Sequence, residues 1–356
     1  MPDLRLEWIV DERRFAAVEA AWDALAADQP TPFSRHAWFT HWWRAFAADA
    51  PLRLCTLWEG DSLTGAVPLV AGTGRLVAMA NDHTPIFAPL ARDPQVLGRL
   101  AQALIGSSAG EVELGALPAD GEALRHLRRA CGQAGRRTVE ESQHVSPLVE
   151  MAGTYEQFRA ESKPRWGAPL ERFRRKMVRD HDATFSLVES PSDLESELER
   201  GLSVEASGWK GQAGTSILSD PSTASFYRSV ARAYHGAGEL KLSGISLDGR
   251  LVAFDLSLLH DDRLWLLKTG FDESYRRLAP GLVLRLSIIE KCFELGLSGH
   301  ELLGDDAEWK RKFANGERAH SRLRAYRARP VPMLRHAYRR WTRPRLRRVY
   351  HQVRSR

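Results

Sequence analysis

The sequence predicts an α/β fold built as two similar halves. Three observations carry this reading. Helical and strand periodicities alternate along the chain. Two hairpins follow one plan: LCTLWEGDSLTGAVPL at 54–69 and LSGISLDGRLVAFDLSL at 242–258 each run strand, acidic-Gly turn, Leu, small residue, strand. Helices come before and after both; the competing account is that any two hairpins look alike. Finally, 356 residues with 43% apolar and 27% charged side chains make two to three globular domains' worth of chain. That composition excludes a fibrous, disulfide-stapled or wholly disordered protein.

Residues 12–28 put Phe15, Val18, Ala21, Trp22 and Leu25 at helical spacing, with Asp11 ahead as a cap. A Pro-containing break at 29–33 leads to a second helix over 36–46, following Ser34 and carrying the aromatic face Trp38, Phe39, Trp42, Trp43 and Phe46. That face reads as core. Residues 52–58 and 62–70 form a hairpin around Glu59-Gly60-Asp61. A strand at 75–80 enters the loop Asn81-Asp82-His83-Thr84-Pro85, and helices at 94–105 and 121–135 flank a short strand at 111–114.

A new unit starts at 151. Thr154 caps a short helix through 162, Pro164 and Pro169 interrupt, and 170–180 is a very basic helix. A strand at 185–188 and a helix at 193–207 precede Gly208-Trp209-Lys210-Gly211, and another helix covers 222–236. Asp248-Gly249 joins strands 241–246 and 250–259, a strong two-residue turn signal. Next come a strand at 263–271, a helix at 281–295 stopped by Gly296, a short strand at 301–303, a helical turn at 308–313 and a closing strand at 321–328. The expected organisation is a first half over 1–150, a second over 151–330 and a basic tail over 331–356.

The net charge of +6 conceals an asymmetry. From Arg318 onward there are 14 arginines, no lysine and no acid, leaving 37 basic against 45 acidic groups, a net of −8, in residues 1–317. A basic pI therefore belongs to the tail, and the body is no polyanion platform. In the tail Leu334, Tyr338, Trp341 and then Leu346, Val349, Tyr350 and Val353 recur at helical spacing among arginines. A basic amphipathic segment of this kind suits an anionic membrane surface, or RNA phosphates, or simply a solubilising tail. No apolar run approaches the ~18 residues a spanning helix needs. The N-terminus carries acids where a secretory signal would be basic, and Cys55, Cys131 and Cys292 are scattered, so a reducing cytoplasm is expected, with contact at the inner membrane face through the tail. No His/Cys/Asp set has metal spacing, and there is no Walker loop or Gly-x-Ser-x-Gly elbow.

The chemistry concentrates at strand, loop, helix over 263–295. In Tyr275-Arg276-Arg277-Leu278-Ala279-Pro280-Gly281, the helix start offers unpaired N–H groups, Gly281 permits close approach, and Arg276 and Arg277 add charge. The alternative is a Pro-Gly that merely starts a packed helix.

The succession Phe271-Asp272, Tyr275, Pro280-Gly281, Leu284, Gly296, Gly304-Asp305, Trp309-Lys310 and Phe313 is similar to the GNAT superfamily of acetyltransferases. Together with the basic helix 172–179 and Glu205-x-x-Gly208-Trp209-Lys210, it looks most like the branch found with bacterial polysaccharide and cellulose synthesis (CelD/BcsL type), related to the FemABX peptidyltransferases. The resemblance covers roughly 20–328, more clearly in the second half. It implies two GNAT-like halves, each a mixed twisted sheet flanked by helices, the first degenerate. The superfamily's Arg/Gln-x-x-Gly-x-Gly/Ala loop is replaced here by Arg277-Leu278-Ala279-Pro280-Gly281-Leu282, without the first Gly.

The resemblance further implies acetyl-CoA or another acyl-CoA as co-substrate, no metal, and an amine or hydroxyl of a sugar or envelope precursor as acceptor. The CoA pyrophosphate would rest on the N–H groups of Gly281, Leu282 and Val283 behind Pro280. Asp305, Asp306 and Glu308 are base candidates, against a solvated acidic turn. Tyr275 is the acid candidate, against simple packing, and Lys310 either pairs with Asp305 or holds an anionic acceptor. Trp209, Lys210, Arg172 and Arg175 are candidate acceptor contacts. His83 could face the acceptor or be an ordinary hydrogen-bonded loop histidine. Two other functions stay open: aminoacyl transfer from tRNA, and a non-catalytic scaffold.

Overall fold

The computed structural model describes residues 4–162, 167–208 and 214–342. The first half contributes β1 (Leu4–Ile9), α1 (Glu12–Ala17), α2 (Glu19–Ala26), α3 (His36–Phe46), β2 (Leu54–Glu59), β3 (Ser62–Val67), β4 (Leu69–Gly72), β5 (Arg75–Ala78), β6 (Leu90–Ala91), α4 (Pro94–Gly106), β7 (Glu111–Pro118), α5 (Glu122–Gln133) and β8 (Arg137–Glu150). The second contributes α6 (Tyr155–Ser162), α7 (Gly167–Asp180), β9 (Ala183–Glu189), α8 (Leu194–Ser207), α9 (Pro221–Gly236), β10 (Leu240–Leu247), β11 (Arg250–His260), β12 (Arg263–Phe271), α10 (Pro280–Glu294), β13 (Gly299–Glu301), α11 (Glu308–Arg311) and β14 (Gly316–Tyr326), before α12 (Pro330–Ala337).

Local chemistry explains most boundaries. Asp11 accepts the Arg14 N–H at 2.9 Å and starts α1, but the chain turns at Val18, so the single helix expected over 12–28 is two. Ser34 belongs to a short 3-10 turn, and Arg35 occupies the cap position of α3. Thr154 and Gln157 form a reciprocal capping box: the Thr154 hydroxyl accepts the Gln157 N–H at 3.3 Å, and the Gln157 side chain accepts the Thr154 N–H at 2.9 Å. Pro169, expected to interrupt, lies in the first turn of α7, where a missing N–H breaks no helical bond. Asp248 and Gly249 both have positive φ (52° and 78°), the geometry of the tight hairpin turn.

Each half repeats one unit. In the first, the chain leaves β5 and returns through α4 to β7, parallel to β5; in the second, β12, α10 and β13 are connected in the same way. The halves do not keep separate sheets. Ten strands run β4-β5-β7-β14-β8-β13-β12-β11-β10-β9, so β14 of the second half lies between β7 and β8 of the first, while β8 reaches β13. A four-stranded sheet, β1-β2-β3-β6, joins at Pro68, where β3 gives way to β4. The sequence reading missed β1 and the 14-residue β8. β8 is polar because its carboxylates pair across the sheet and with α5: Glu141 with Arg324 at 2.7 Å and Glu140 with Arg128 at 2.6 Å.

The expected aromatic face of α3 is core. Trp38 is fully buried, edge-on to Phe33 (4.9 Å) and to Phe226 of α9 (5.1 Å), so one cluster spans both halves. Arg35 donates to Glu239 at 2.9 Å beside it. In the second core Arg285 pairs with Asp255 and donates to His300 Nε2 at 2.5 Å, while His300 Nδ1–H donates to the Leu264 carbonyl at 2.9 Å. That pattern requires a neutral His300.

Burial holds the His300 ring at about 3 and the His320 ring at about 4, against 6.5 for a free histidine. Between pH 6.5 and about 4 the unfolded chain therefore takes up protons that the folded chain refuses, and stability falls as the pH falls. Above pH 6.5 both rings are neutral in either state and the slope vanishes. Thermal unfolding followed from pH 7.5 to 4.5 should show a flat region and then a falling midpoint, up to about 1.4 kcal/mol per pH unit per ring. A midpoint that rises or stays level over the lower interval contradicts the buried neutral rings.

Candidate active site

The cleft begins where a parallel strand pair separates. β12 and β13 pair only from Arg263–Gly299 to Trp265–Glu301. β12 runs on to Phe271, while the other strand leaves the sheet through Leu303 and Gly304, both at positive φ (46° and 57°). A bulge skips Leu267 in the β11–β12 register at the same level and bends the strand. The wedge is a cleft of about 730 Å³, walled on the far side by the 81–85 loop and by Gln143 and His144 of β8. Both halves therefore contribute to one site.

At one end sits the start of α10. Ala279 takes a left-handed conformation (φ 49°), which turns the 3-10 segment Glu273–Leu278 into the helix, and Pro280 occupies the first helical position. The Ala279 carbonyl accepts the N–H groups of Leu282 at 3.1 Å and Val283 at 3.0 Å. Two of the three amides expected to form the cradle are thus engaged by the helix itself. Val283 and Pro280 have buried side chains off the cleft wall, whereas Gly281 and Leu282 line it. A Cβ on Gly281 would stand 3.1 Å from the Phe271 ring, so the helix start is tight against β12. Arg276 lines the cleft; Arg277 is exposed and does not.

Several expected catalytic residues lie elsewhere. Tyr275 packs on the second core, with the Arg250 guanidinium 5.9 Å from its ring, off the wall of the cleft. In the Phe271-Asp272 motif Phe271 lines the cleft, while Asp272 is architectural: it caps the turn by accepting the Ser274 N–H at 2.9 Å and holds Arg250 at 2.6 Å. Glu308 is 89% exposed and faces Lys312 at 3.7 Å, because one turn of α11 sends it outward and its neighbours Trp309 and Lys310 toward the cleft. Asp306 is held bidentate by Arg311, both oxygens at 2.7 Å from Nε. Asp305 does line the cleft, exposed at its mouth. Lys310 is buried, and its ammonium binds the carbonyls of Leu303 and Asp305 (2.9 Å to the latter), tying down the strand exit. Arg172 and Arg175 lie on α7, away from the cleft; Arg175 borders a separate groove. Trp209 and Lys210 lie outside the described residues.

The other end holds Lys268, Thr223 and Tyr227, to which sequence reasoning gave no role, with His83 and with Glu205, which entered the sequence reading only as part of a family motif. Glu205 on α8 is buried, lines the cleft and accepts the Ile217 N–H at 3.0 Å. α8 sits so close to β12 that a Cβ on Gly270 would be 2.5 Å from the Glu205 Cα, which makes glycine obligatory there. Lys268 reaches over the Tyr227 ring at 4.9 Å, and burial lowers its ammonium pKa against the opposing pull of Glu205. A directed hydrogen-bond chain crosses from one half to the other. The Thr223 hydroxyl donates to Asp220 at 2.7 Å, so His83 Nε2–H donates to Thr223 at 3.3 Å and His83 Nδ1 accepts from the Tyr227 hydroxyl at 3.4 Å. His83 stacks on Phe46 at 5.2 Å, and burial lowers its pKa to about 4, fixing the neutral ring. His83 is thus both readings at once, a hydrogen-bonded loop histidine that lines the site. For Lys268 the available sequence signal was its place as a lone cation in the apolar run LWLLKTGF.

Residues 165–311 match the family model described as an Acetyltransferase (GNAT) domain. The fold is shared with the C-terminal domain of a putative lysylphosphatidylglycerol synthetase from Agrobacterium fabrum (TM-score 0.57, 14% identity, 90% of this chain and 94% of that one). It is shared equally with FemX (TM-score 0.57, 10% identity, 93% and 99%) and with a conserved protein of unknown function from Bacteroides thetaiotaomicron (TM-score 0.53, 10% identity, 91% and 100%). No curated protein matches the chain. Residues 165–311 are thus similar to a GNAT acetyltransferase domain, and the chain as a whole shares its fold with FemX and with the lysylphosphatidylglycerol synthetase domain. Among the described residues no group of three or more His, Cys, Asp or Glu side chains is arranged around a metal position, and no helix is long and apolar enough to cross a membrane.

Gly270→Val should force α8 off β12. The expected loss is about 1–3 kcal/mol of stability in denaturant unfolding, with the cleft deformed as well. A variant as stable as the parent contradicts the close contact between Gly270 and Glu205.

Proposed function

We propose that the protein transfers an acyl group, acetyl in the simplest case, from acyl-CoA to an amine on a small-molecule or glycan acceptor. The observation that carries this reading is one cleft joining a helix start, Gly281 with Arg276, to a buried carboxylate, Glu205. The residues fit the donor: Gly281 lets a phosphate reach the backbone, and Arg276 adds a permanent cation beside it. Acyl-CoA, when bound, supplies the acyl group as a thioester already activated toward a nucleophile. A sugar or envelope precursor as acceptor follows from the family resemblance, and a cytoplasmic setting suits the free thiols of Cys55, Cys131 and Cys292.

Asp82 and Asp305 line the mouth and favour entry of a cationic acceptor. Glu205 takes the proton from the acceptor ammonium and frees its lone pair for attack. Lys268, on the same wall, is the donor available to negative charge developing on the carbonyl oxygen; collapse of the adduct then breaks the C–S bond, and the released CoA thiolate takes the proton that the attacking nitrogen gives up. The chain from Asp220 through Thr223 and His83 fixes the Tyr227 hydroxyl and keeps His83 neutral, so the histidine adds no further positive charge against the incoming amine.

Acetyl-CoA at about a hundred times its Kd should raise stability by about 2.7 kcal/mol in thermal unfolding. Glu205→Gln should lower kcat by about 10²-fold or more while retaining that shift, and Glu308→Gln should change kcat less than about twofold. A kcat within tenfold of the parent for Glu205→Gln removes it as the base. No shift with any acyl-CoA, together with a shift on aminoacyl-tRNA, moves the assignment to aminoacyl transfer; no shift with either moves it to a scaffold.

A further inference from the structure

We propose that Lys268 is a self-acylation site: with the donor bound and no acceptor present, its amine takes the acyl group from the thioester. The inference rests on the acyl-CoA reading of the cleft and adds a covalent modification to it. Lys268 lies in the stretch of β12, Leu266 to Phe271, that lines the cleft where the parallel strands separate. At one end of this stretch Phe271 packs against Gly281, where the donor phosphates would sit. The cleft continues from there past Lys268 to Glu205. Residues 268, 269 and 270 pair one for one with 256, 255 and 254 of β11, so side chains alternate regularly here and Lys268 shares a face with Gly270. That is the face α8 covers, with the Glu205 Cα 2.5 Å from a Cβ placed on Gly270. A buried carboxylate and an amine thus occupy one wall.

The surroundings of the amine leave it open to reaction. Among the described residues Lys268 makes no ion pair and no hydrogen bond, and its charge meets only the Tyr227 ring, at 4.9 Å. The second described lysine on the wall, Lys310, is held by the carbonyls of Leu303 and Asp305. Burial favours the neutral form of Lys268, which is the nucleophilic one, against the pull of Glu205.

The step balances without a further reactant. Glu205 takes one proton from the Lys268 ammonium, and Nζ attacks the thioester carbonyl to form a C–N bond. The adduct collapses with cleavage of the C–S bond, and the CoA thiolate takes the second proton from nitrogen. The products are an amide at Lys268, free CoA and a protonated Glu205, which returns its proton to water. An amide carries no charge, so the modified chain has lost the cation offered to the carbonyl oxygen during transfer to an acceptor.

The test is incubation of the full chain with acetyl-CoA alone, followed by peptide mass spectrometry, with thermal unfolding measured on the same mixture. The expected result is one acetyl group per chain on Lys268, added at least about tenfold faster than on the exposed Lys176 and slowed about tenfold or more in Glu205→Gln. A raised unfolding midpoint with Lys268 unmodified overturns this inference and leaves the acyl-CoA reading standing. Modification of Lys268 no faster than that of Lys176 is solution chemistry and overturns it too, as do equal rates in the parent and Glu205→Gln. An unchanged midpoint with no modification overturns both the inference and the reading beneath it.

Discussion

The parallel pairing of β12 with β13 stops after three residues, and the rest of the site depends on that separation. A strand that loses its neighbour exposes an edge, which a folded protein must cover or use. Here one side of the gap carries β12 from Leu266 to Phe271, and the other carries the 302–305 exit, held by the Lys310 ammonium. The start of α10 stands at the open end because the helix must span from the end of one strand to the start of its parallel partner. The position of Gly281 and Arg276 is therefore a consequence of the crossover.

The same unit in the first half has another outcome. β5 and β7 are also parallel and joined by a helix, but β14 pairs along the far side of β7, and the 81–85 loop turns toward the second half's cleft. One copy of the unit serves as a site and the other as its wall. Threading β14 between β7 and β8 fixes the two relative to each other, and the hydrogen bonds of His83 to Thr223 and Tyr227 cross that junction.

The sequence made much of this legible. The duplicated hairpins, the Asp-Gly turn and the Pro-Gly helix start are local signals, with causes that lie within a few residues. β8 was not legible, because its support is cross-strand: Glu141 is held by Arg324, diagonal to it on β14 and 183 residues away. The three clustered acids are separated by the fold for a related reason. Asp305, Asp306 and Glu308 cluster in sequence, but a helical turn sends Glu308 to solvent and Arg311 occupies Asp306. Glu205, Lys268, Tyr227 and His83 come together only when two halves and four elements meet, and nothing in the spacing of those residues announces it.

The central claim is that the cleft beside α10 receives the phosphates of an acyl donor. The direct measurement is the backbone amide resonance of Gly281 in 15N-labelled protein during a titration with CoA. The account predicts a saturable shift of that resonance, with the α4 start of the first half unmoved, and loss of CoA binding in Gly281→Asp, which sets a negative charge at the helix start. A saturable CoA titration that leaves Gly281 unchanged, or that moves α4 instead, would contradict it.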